Sequence, residues 1–526
     1  MLNVALSASE GFRNASLRDL HPAVLVERAK SGHNKHSDNR KSKKGEEFME
    51  SSEGNPLALD YIFHPRSIAV VGASNNPFSS GHMFLVSFRS FGFKGNIYPV
   101  HPEESEVEGL KCYPSVKDIP EPVDYALSAI PARFTPQLVE DCVAKGVKVV
   151  AFFTAGFSES GEPGGEELEA ELVRIARAGG VRLIGPNCIG IYCPSAGLSP
   201  SPDFSRQNGQ LGLLSQSGGL TCYLVRALNT RGVYLSKAVS YGNACDINET
   251  DLLEYFAHDP ETKIIAAYIE GVKDGKPFFK ALREAAQAKP VIVLKGGKTE
   301  QGAATVTSHT SALAGSATAW DALVHQTGAI QVNTVEEMVD LACLLVHMPL
   351  PKGKRIGIVG LGGGASVLSA DDCVKAGLFL PPLSREIEQR LRNFVPAAGN
   401  IFGNPLDTQA IRTGLEGFAE TARIFGGFEQ FDILLLHLAY DALLGTTWPD
   451  SNLVLFRLHL QIWLDVLKEI KKPTAVVLHY ATFPRTFQAM CEDREICAKA
   501  GLPIFYSMSA AANAISRFLQ YHENKA

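Results

Sequence analysis

A histidine, a glutamate and a serine-glycine turn are the residues of this 526-residue chain best placed to do covalent chemistry. His309 stands between Ser308 and Thr310 in a run of small residues, 294–316, that offers nothing bulky to shield its ring. An accessible imidazole is a nucleophile near neutral pH. Glu270 ends an apolar run, 264–269, and precedes a glycine, which places a carboxylate at the rim of a sheet. At 215–219 the series Ser-Gln-Ser-Gly-Gly closes one apolar run and opens a helical pattern. Ser215, Ser217, Gly218 and Gly219 there form a candidate phosphate cradle, because a helix start offers free amides and a positive dipole end. Each feature alone has a structural reading: a polar loop residue, a surface acid, a helix cap. Together they describe a covalent phosphoryl carrier. The carboxylate fixes the tautomer of the ring and strengthens it as a nucleophile, and the helix start holds the dianion.

The elements that must position these groups alternate in type along the chain. Apolar strand patterns fall at 66–72, 96–100, 123–130, 147–152 and 181–184, with helical patterns at 82–90, 136–145 and 165–178 between them. A second series has strands at 211–215, 235–240, 264–269, 290–294 and 329–332, and a third has strands at 355–359, 431–436 and 474–478. Continuous apolar strands alternating with helices predict parallel, doubly wound sheets, whose ligands bind beyond the carboxyl strand ends. In the first series those ends are Gly72-Ala73-Ser74, Pro99, Ile130-Pro131 and Asn187. The first is suited to a pyrophosphate. The pattern G-A-S-x6-G departs from the dinucleotide fingerprint, and no acid directly follows the second strand to hold a ribose diol, which disfavours a nicotinamide enzyme. The stretch 294–316 reads as a flexible loop, and the glycine run 360–364 reads equally as a phosphate seat or as tight strand-helix packing.

Composition narrows the class. A net charge of -6 suggests neither nucleic acid nor an anionic membrane as partner. No run is long and apolar enough to span a bilayer, and the ten scattered cysteines lack zinc-site spacing, so a cytoplasmic protein with reduced thiols and no metal site is expected. Residues 1–57, charged and aperiodic around 30–47, read as a disordered tail.

The ordered series of motifs resembles one family, the α subunits of ADP-forming (NDP-forming) acyl-CoA synthetases in the succinyl-CoA synthetase superfamily. The series runs from about residue 60 onward: Gly72-Ala73-Ser74, Gly185-Pro186-Asn187-Cys188, Ser215 to Gly219, Tyr241-Gly242-Asn243, Asp251-Leu252-Leu253-Glu254-Tyr255, Tyr268-Ile269-Glu270-Gly271-Val272, Ser308-His309-Thr310 and Asn404-Pro405-Leu406-Asp407. The resemblance implies an α/β fold: a CoA-binding Rossmann-like domain, 58–190, then two flavodoxin-like (succinyl-CoA synthetase-like) parallel-sheet domains, 191–350 and 351–526. It implies that His309 is the phosphohistidine, Glu270 its partner, and Ser215, Ser217, Gly218 and Gly219 the phosphate cradle. CoA would meet Gly72, Ala73 and Ser74 at its phosphates and Pro99, Ile130 and Pro131 at its adenosine, with Asn187 near the thioester. The implied reaction is acyl-CoA + ADP + phosphate ⇌ acid + CoA + ATP, with ADP/ATP and Mg2+ held by a separate ATP-grasp β subunit in an α2β2-type hetero-oligomer. The competing reading is a non-catalytic CoA- or acyl-CoA-binding paralogue, a sensor or scaffold. Two departures stand out: Ser311 replaces the family's usual glycine, and His101-Pro102-Glu103 replaces a more basic Asn-Pro-Lys.

Overall fold

The computed structural model describes residues 57–310, 316–360, 362–394, 401–407, 414–443, 449–479 and 481–525. The expected tail lies outside the described residues except at Leu57, and so does Ser311.

Runs of β-branched and aliphatic residues become buried strands wherever a glycine or proline turn lets the chain re-enter a sheet. After a short helix α1 (Asp60–Phe63), the first unit runs β1 (Ser67–Val71), α2 (Ser80–Phe91), β2 (Asn96–Val100), a hairpin of β3 (Glu106–Val107) and β4 (Leu110–Lys111), β5 (Tyr125–Ser128), α3 (Thr135–Lys145), β6 (Val149–Phe152), α4 (Gly165–Ala178) and β7 (Arg182–Ile184). Its five main strands are parallel in the order β2-β1-β5-β6-β7. Every residue of β1, β5 and β6 is buried, as helices on both faces require.

The second unit contains β8 (Gly190–Tyr192), β9 (Leu211–Ser215), α5 (Gly218–Asn229), β10 (Leu235–Ser240), α6 (Glu249–His258), β11 (Ile264–Ile269), α7 (Gly275–Ala288), β12 (Val291–Lys295), α8 (Glu300–Thr310), α9 (Ala317–Thr327), β13 (Ile330–Val332) and α10 (Val335–His347). The strand order is β13-β12-β11-β9-β10-β8, and β8 pairs antiparallel with β10. Gly190 in β8 pairs with Ser240 in β10, at the expected junction of the first two domains.

The third unit runs β14 (Ile356–Gly360), α11 (Gly363–Lys375), α12 (Arg385–Arg392), β15 (Leu406–Asp407), α13 (Gly414–Gly426), β16 (Ile433–Ala439), α14 (Pro449–Ile470), β17 (Thr474–His479), α15 (Pro484–Lys499), β18 (Ile504–Phe505) and α16 (Met508–Lys525). All its strands are parallel, in the order β15-β14-β16-β17-β18.

Two cores cross unit boundaries. Phe63 stacks on Tyr255 with ring centres 4.8 Å apart, and the Tyr255 hydroxyl donates to Asp60 at 2.9 Å, which fastens α1 to the second unit. A second apolar cluster joins Leu211, Leu341, Ile358, Val477, Ile515 and Phe518, so α16 returns from the third sheet to pack on α10. Arg517 reinforces that return by donating to the Gln331 carbonyl at 2.9 Å.

The expected flexible loop at 294–316 is corrected over Glu300–Thr310, which form α8. Thr299 supplies the start signal, its hydroxyl accepting from the Gly302 amide at 3.1 Å, and Glu300 complements the helix dipole. The Thr305 hydroxyl donates back to the Gln301 carbonyl at 2.9 Å, which satisfies inside the helix a group that would otherwise favour a turn.

Candidate active site

The carboxyl ends of the first two sheets face one another across a cavity of about 460 Å³. On the first-sheet side, β1 leads into Gly72 at φ 92°, where an added Cβ would come within 2.6 Å of the Ala129 carbonyl oxygen. A Cβ on Gly81 would lie 2.1 Å from the Gly72 oxygen, so α2 begins in contact with this turn. Ser79 caps α2 by accepting from His82 N at 3.2 Å, and its hydroxyl meets that of Ser74 at 3.0 Å. From the neighbouring strands come Ile130 and Pro131 after β5, Thr154 after β6 and Asn187 after β7, all lining the cavity. Thr154 binds this rim together: its hydroxyl donates to the Ile130 carbonyl at 2.9 Å, and its own carbonyl accepts from Asn187 N at 3.0 Å.

The second-sheet side is polar. Beyond β9, the Ser215 hydroxyl donates to the Ser217 carbonyl at 3.0 Å and accepts from the Ser217 amide at 3.2 Å. Ser217 then caps α5 by accepting from Leu220 N at 3.3 Å. Gln216, Ser217, Gly218 and Gly219 present the first turn of α5 to the cavity, and no atom lies within 4 Å of a Cβ built on Gly219. That is the geometry of an anion site, with backbone amides and a positive helix end facing open space.

Glu270 stands on the adjacent strand end, 5% exposed. Gln216 ties it to the anion turn: its amide oxygen accepts from the Glu270 amide and from the Gly271 amide, the latter at 2.9 Å. Behind Glu270, a Cβ on Gly296 would meet the Tyr268 hydroxyl at 2.7 Å and the Glu270 Cγ at 3.3 Å. The glycine after β12 thus lets the backbone approach the carboxylate. Burial, with Glu270 nearby, pushes the Tyr268 hydroxyl well above its usual range and keeps it neutral.

His309 lies in the last turn of α8, and its side chain is outside the described residues. The helix itself runs beside the one-turn 3-10 helix Ser158–Ser160 of the first unit. That turn is held by Asn243, whose amide nitrogen donates to Ser158 at 3.2 Å, Glu159 at 2.5 Å and Glu169 at 2.9 Å. Tyr241-Gly242-Asn243 also packs directly on Gly185-Pro186-Asn187: Asn243 N donates to the Pro186 carbonyl at 3.0 Å, and a Cβ on Gly242 would overlap that oxygen. Two motifs separated by over fifty residues are therefore one joint between units.

The structure brings Ile130, Pro131, Asn187, Ser217, Gly218 and Gly219 to one cavity, with Ser215 bonded beneath them and Glu270 beside them. Gly72, Ala73, Ser74 and Pro99 sit at neighbouring strand ends of the same rim but do not line the cavity. Sequence reasoning gave no role to Gln216, Thr154 or Lys295. Gln216 lay inside a quoted motif, and its signal was a lone amide side chain in an otherwise small turn. Among the described residues no group of three His, Cys, Asp or Glu is placed to hold a metal ion.

Comparisons with known proteins identify the family. Residues 66–194 match the CoA binding domain family, and residues 208–345 match the succinyl-CoA ligase like flavodoxin domain family. The chain is 37% identical to the acetate–CoA ligase [ADP-forming] II subunit alpha of Pyrococcus furiosus, over 89% of this chain and 98% of that one. It is 34% identical to the acetate–CoA ligase [ADP-forming] I of Archaeoglobus fulgidus, over 88% of this chain and 64% of that one. Its structure resembles the Ca. Korarchaeum cryptofilum dinucleotide forming acetyl-coenzyme A synthetase 1 in complex with phosphate and ADP. The TM-score there is 0.73 at 31% identity, covering 88% of this chain and 97% of that one.

Proposed function

Because the chain belongs to the family of ADP-forming acetate–CoA ligase α subunits, we propose that it carries the acyl-transfer and phosphoryl-carrier steps of an acid–CoA ligase. The reaction is acyl-CoA + ADP + phosphate ⇌ acid + CoA + ATP. The observation that carries the reading is the shared cavity, in which a CoA-binding rim and an anion-binding helix start face each other, with Glu270 alongside.

CoA lies along the first-sheet rim, its phosphates toward Gly72, Ala73 and Ser74 and its adenosine toward Pro99, Ile130 and Pro131. Its thioester lies near Asn187. Inorganic phosphate, held at the start of α5 by Ser215, Ser217, Gly218 and Gly219, attacks the thioester carbonyl. The carbon–sulfur bond breaks, the thiolate of CoA takes a proton, and an acyl phosphate remains. An imidazole nitrogen of His309 then attacks phosphorus, and the carboxylate of the acid leaves. Glu270 accepts the N–H of the other ring nitrogen and stabilises the cation that forms there. The helix start holds the phosphoryl oxygens through both steps and limits hydrolysis by keeping them out of bulk water.

A terminal phosphate oxygen of ADP accepts the phosphoryl group in the last step. ADP/ATP with Mg2+ is assigned to a separate ATP-grasp β subunit in an α2β2-type assembly. A relative matched over 98% of its length is named a subunit alpha, which supports a partner subunit, and this chain spans 64% of the Archaeoglobus ligase.

The test is isotopic. With its nucleotide-binding subunit, acetyl-CoA and labelled phosphate, the chain is expected to take up acid-labile, base-stable label, and His309→Asn is expected to take up none. Undiminished label in His309→Asn would overturn the assignment.

A further inference from the structure

A lysine with no bonding role in these steps sits at the root of the histidine segment. Lys295 ends β12 and is 7% exposed. Its Nζ donates to the Glu270 carbonyl at 2.7 Å and also to the Gly296 carbonyl. The ammonium lies 5.6 Å from the centre of the Trp320 ring, which stacks on Phe278 at 5.7 Å. Gly296 opens the connection to α8, and Trp320 lies in the first turn of α9. One side chain therefore touches both roots of the segment that carries His309, and also the strand end that carries Glu270. An outer tie runs parallel to it, Lys298 to Asp321 at 2.9 Å, with Asp321 accepting from Gln331 at 2.8 Å as well.

Burying an ammonium is costly, and an apolar side chain of similar length would fill the same space with less desolvation. The cost is visible in its acidity: burial lowers the Lys295 pKa to about 8, against an upward pull from Glu270 and with a further push down from Lys298. Packing alone gives no reason for a charge here. The contacts do.

We propose that Lys295 is a positioning residue whose ammonium clasps the start of the connection to α8 and the start of α9 onto the Glu270 strand end, fixing the backbone roots of the segment that carries His309 for phosphoryl transfer. This rests on the reading of His309 as the phosphoryl carrier. The ionisable groups around the clasp are Tyr268 on β11, Glu270 just beyond its end, Lys298 on the turn and Asp321 on α9.

The experiment uses the full chain with its nucleotide-binding subunit, acetyl-CoA and labelled phosphate. Lys295→Met is expected to label His309 about 100-fold more slowly, as a misplacement of about an ångström does, with CoA affinity by calorimetry unchanged. Lys295→Arg keeps the charge and is expected to recover part of the rate. The wild-type rate should fall as pH rises past about 8, where the clasp loses its proton, and in Lys295→Arg that limb should move upward. Labelling of Lys295→Met at the wild-type rate overturns the proposal. If Lys295→Met does not fold, an unmoved alkaline limb in Lys295→Arg overturns it. If the wild type takes no label, the carrier reading fails, and amide exchange judges the clasp by itself. Faster exchange at 296–299 and 317–320 in Lys295→Met supports the clasp, and equal exchange overturns it.

Discussion

The two walls of the cavity are built by the same topology and opposite chemistry. The first-sheet wall is a row of strand ends whose side chains are mostly apolar, Ile130 and Pro131 among them, bound to each other through Thr154. The second-sheet wall is a capped helix start with two glycines, bound through Gln216 to a buried acid. One wall suits a long, largely uncharged arm lying along it, and the other suits a compact dianion. The difference teaches that a parallel strand end has no fixed ligand. The few residues just beyond it decide.

That contrast can be broken at either wall. After loss of His309, the largest effect is expected for Gln216→Leu, which leaves the buried amides of Glu270 and Gly271 without their acceptor. Each unsatisfied amide costs about 1–3 kcal/mol, so the melting temperature should drop and kcat should fall on the order of 100-fold. Thermal denaturation and steady-state rates measure both. Gly219→Ala should separate function from fold. Its Cβ meets no atom within 4 Å, and alanine raises helix propensity by up to about 1 kcal/mol. The methyl nevertheless enters the proposed phosphate seat, so stability should hold or rise while the apparent KM for phosphate increases.

On the opposite wall, Ile130→Ala should raise the KM for CoA with kcat unchanged, since it removes about 1–2 kcal/mol of apolar contact. A matching loss of kcat would mean that the walls do not divide the labour. The smallest effect on turnover is expected for Glu249, which starts α6 behind the polar wall, 3% exposed. Burial raises its pKa to about 7, partly offset by Lys273. The folded state thus disfavours its charged form. Stability from the protonated form is fully present below the unfolded pKa, near 4.5, and is lost as pH rises through about 7. Glu249→Gln should flatten that decline and stabilise the protein by about 3 kcal/mol at pH 8, read as the pH dependence of melting.

Much of this was legible in the sequence because parallel strands are local signals. The runs at 211–215 and 264–269 are apolar throughout and lie where β9 and β11 form. The capped turn at 215–219 was legible for the same reason, a helix cap being written in adjacent residues. The joint between Asn243 and Pro186 was not, because a glycine at 242 announces a turn without saying which carbonyl it must clear. Lys295 read as the end of a strand, since only the fold brings Trp320 and the Glu270 carbonyl to its ammonium. The helix α8 was missed where threonine and serine suggested a loop: the Thr305 hydroxyl spends its bonding on its own helix. The glycine run at 360–364 was ambiguous locally. The structure adds that Gly362 N donates to Asp407 at 2.8 Å, which gives the distant Asn-Pro-Leu-Asp motif a use in closing that turn.

The return of α16 onto α10 has a consequence for how the chain is made. Residues Met508–Lys525 are synthesised after the rest of the third unit, yet they cover apolar surface of the second, and Lys525 reaches back to the Gln287 carbonyl. During translation the second unit therefore waits with an unsealed flank while more than 150 residues emerge. Such a nascent chain is a natural client for a chaperone, and a ribosome stalled before Met508 would release a product that invites proteolysis at α10.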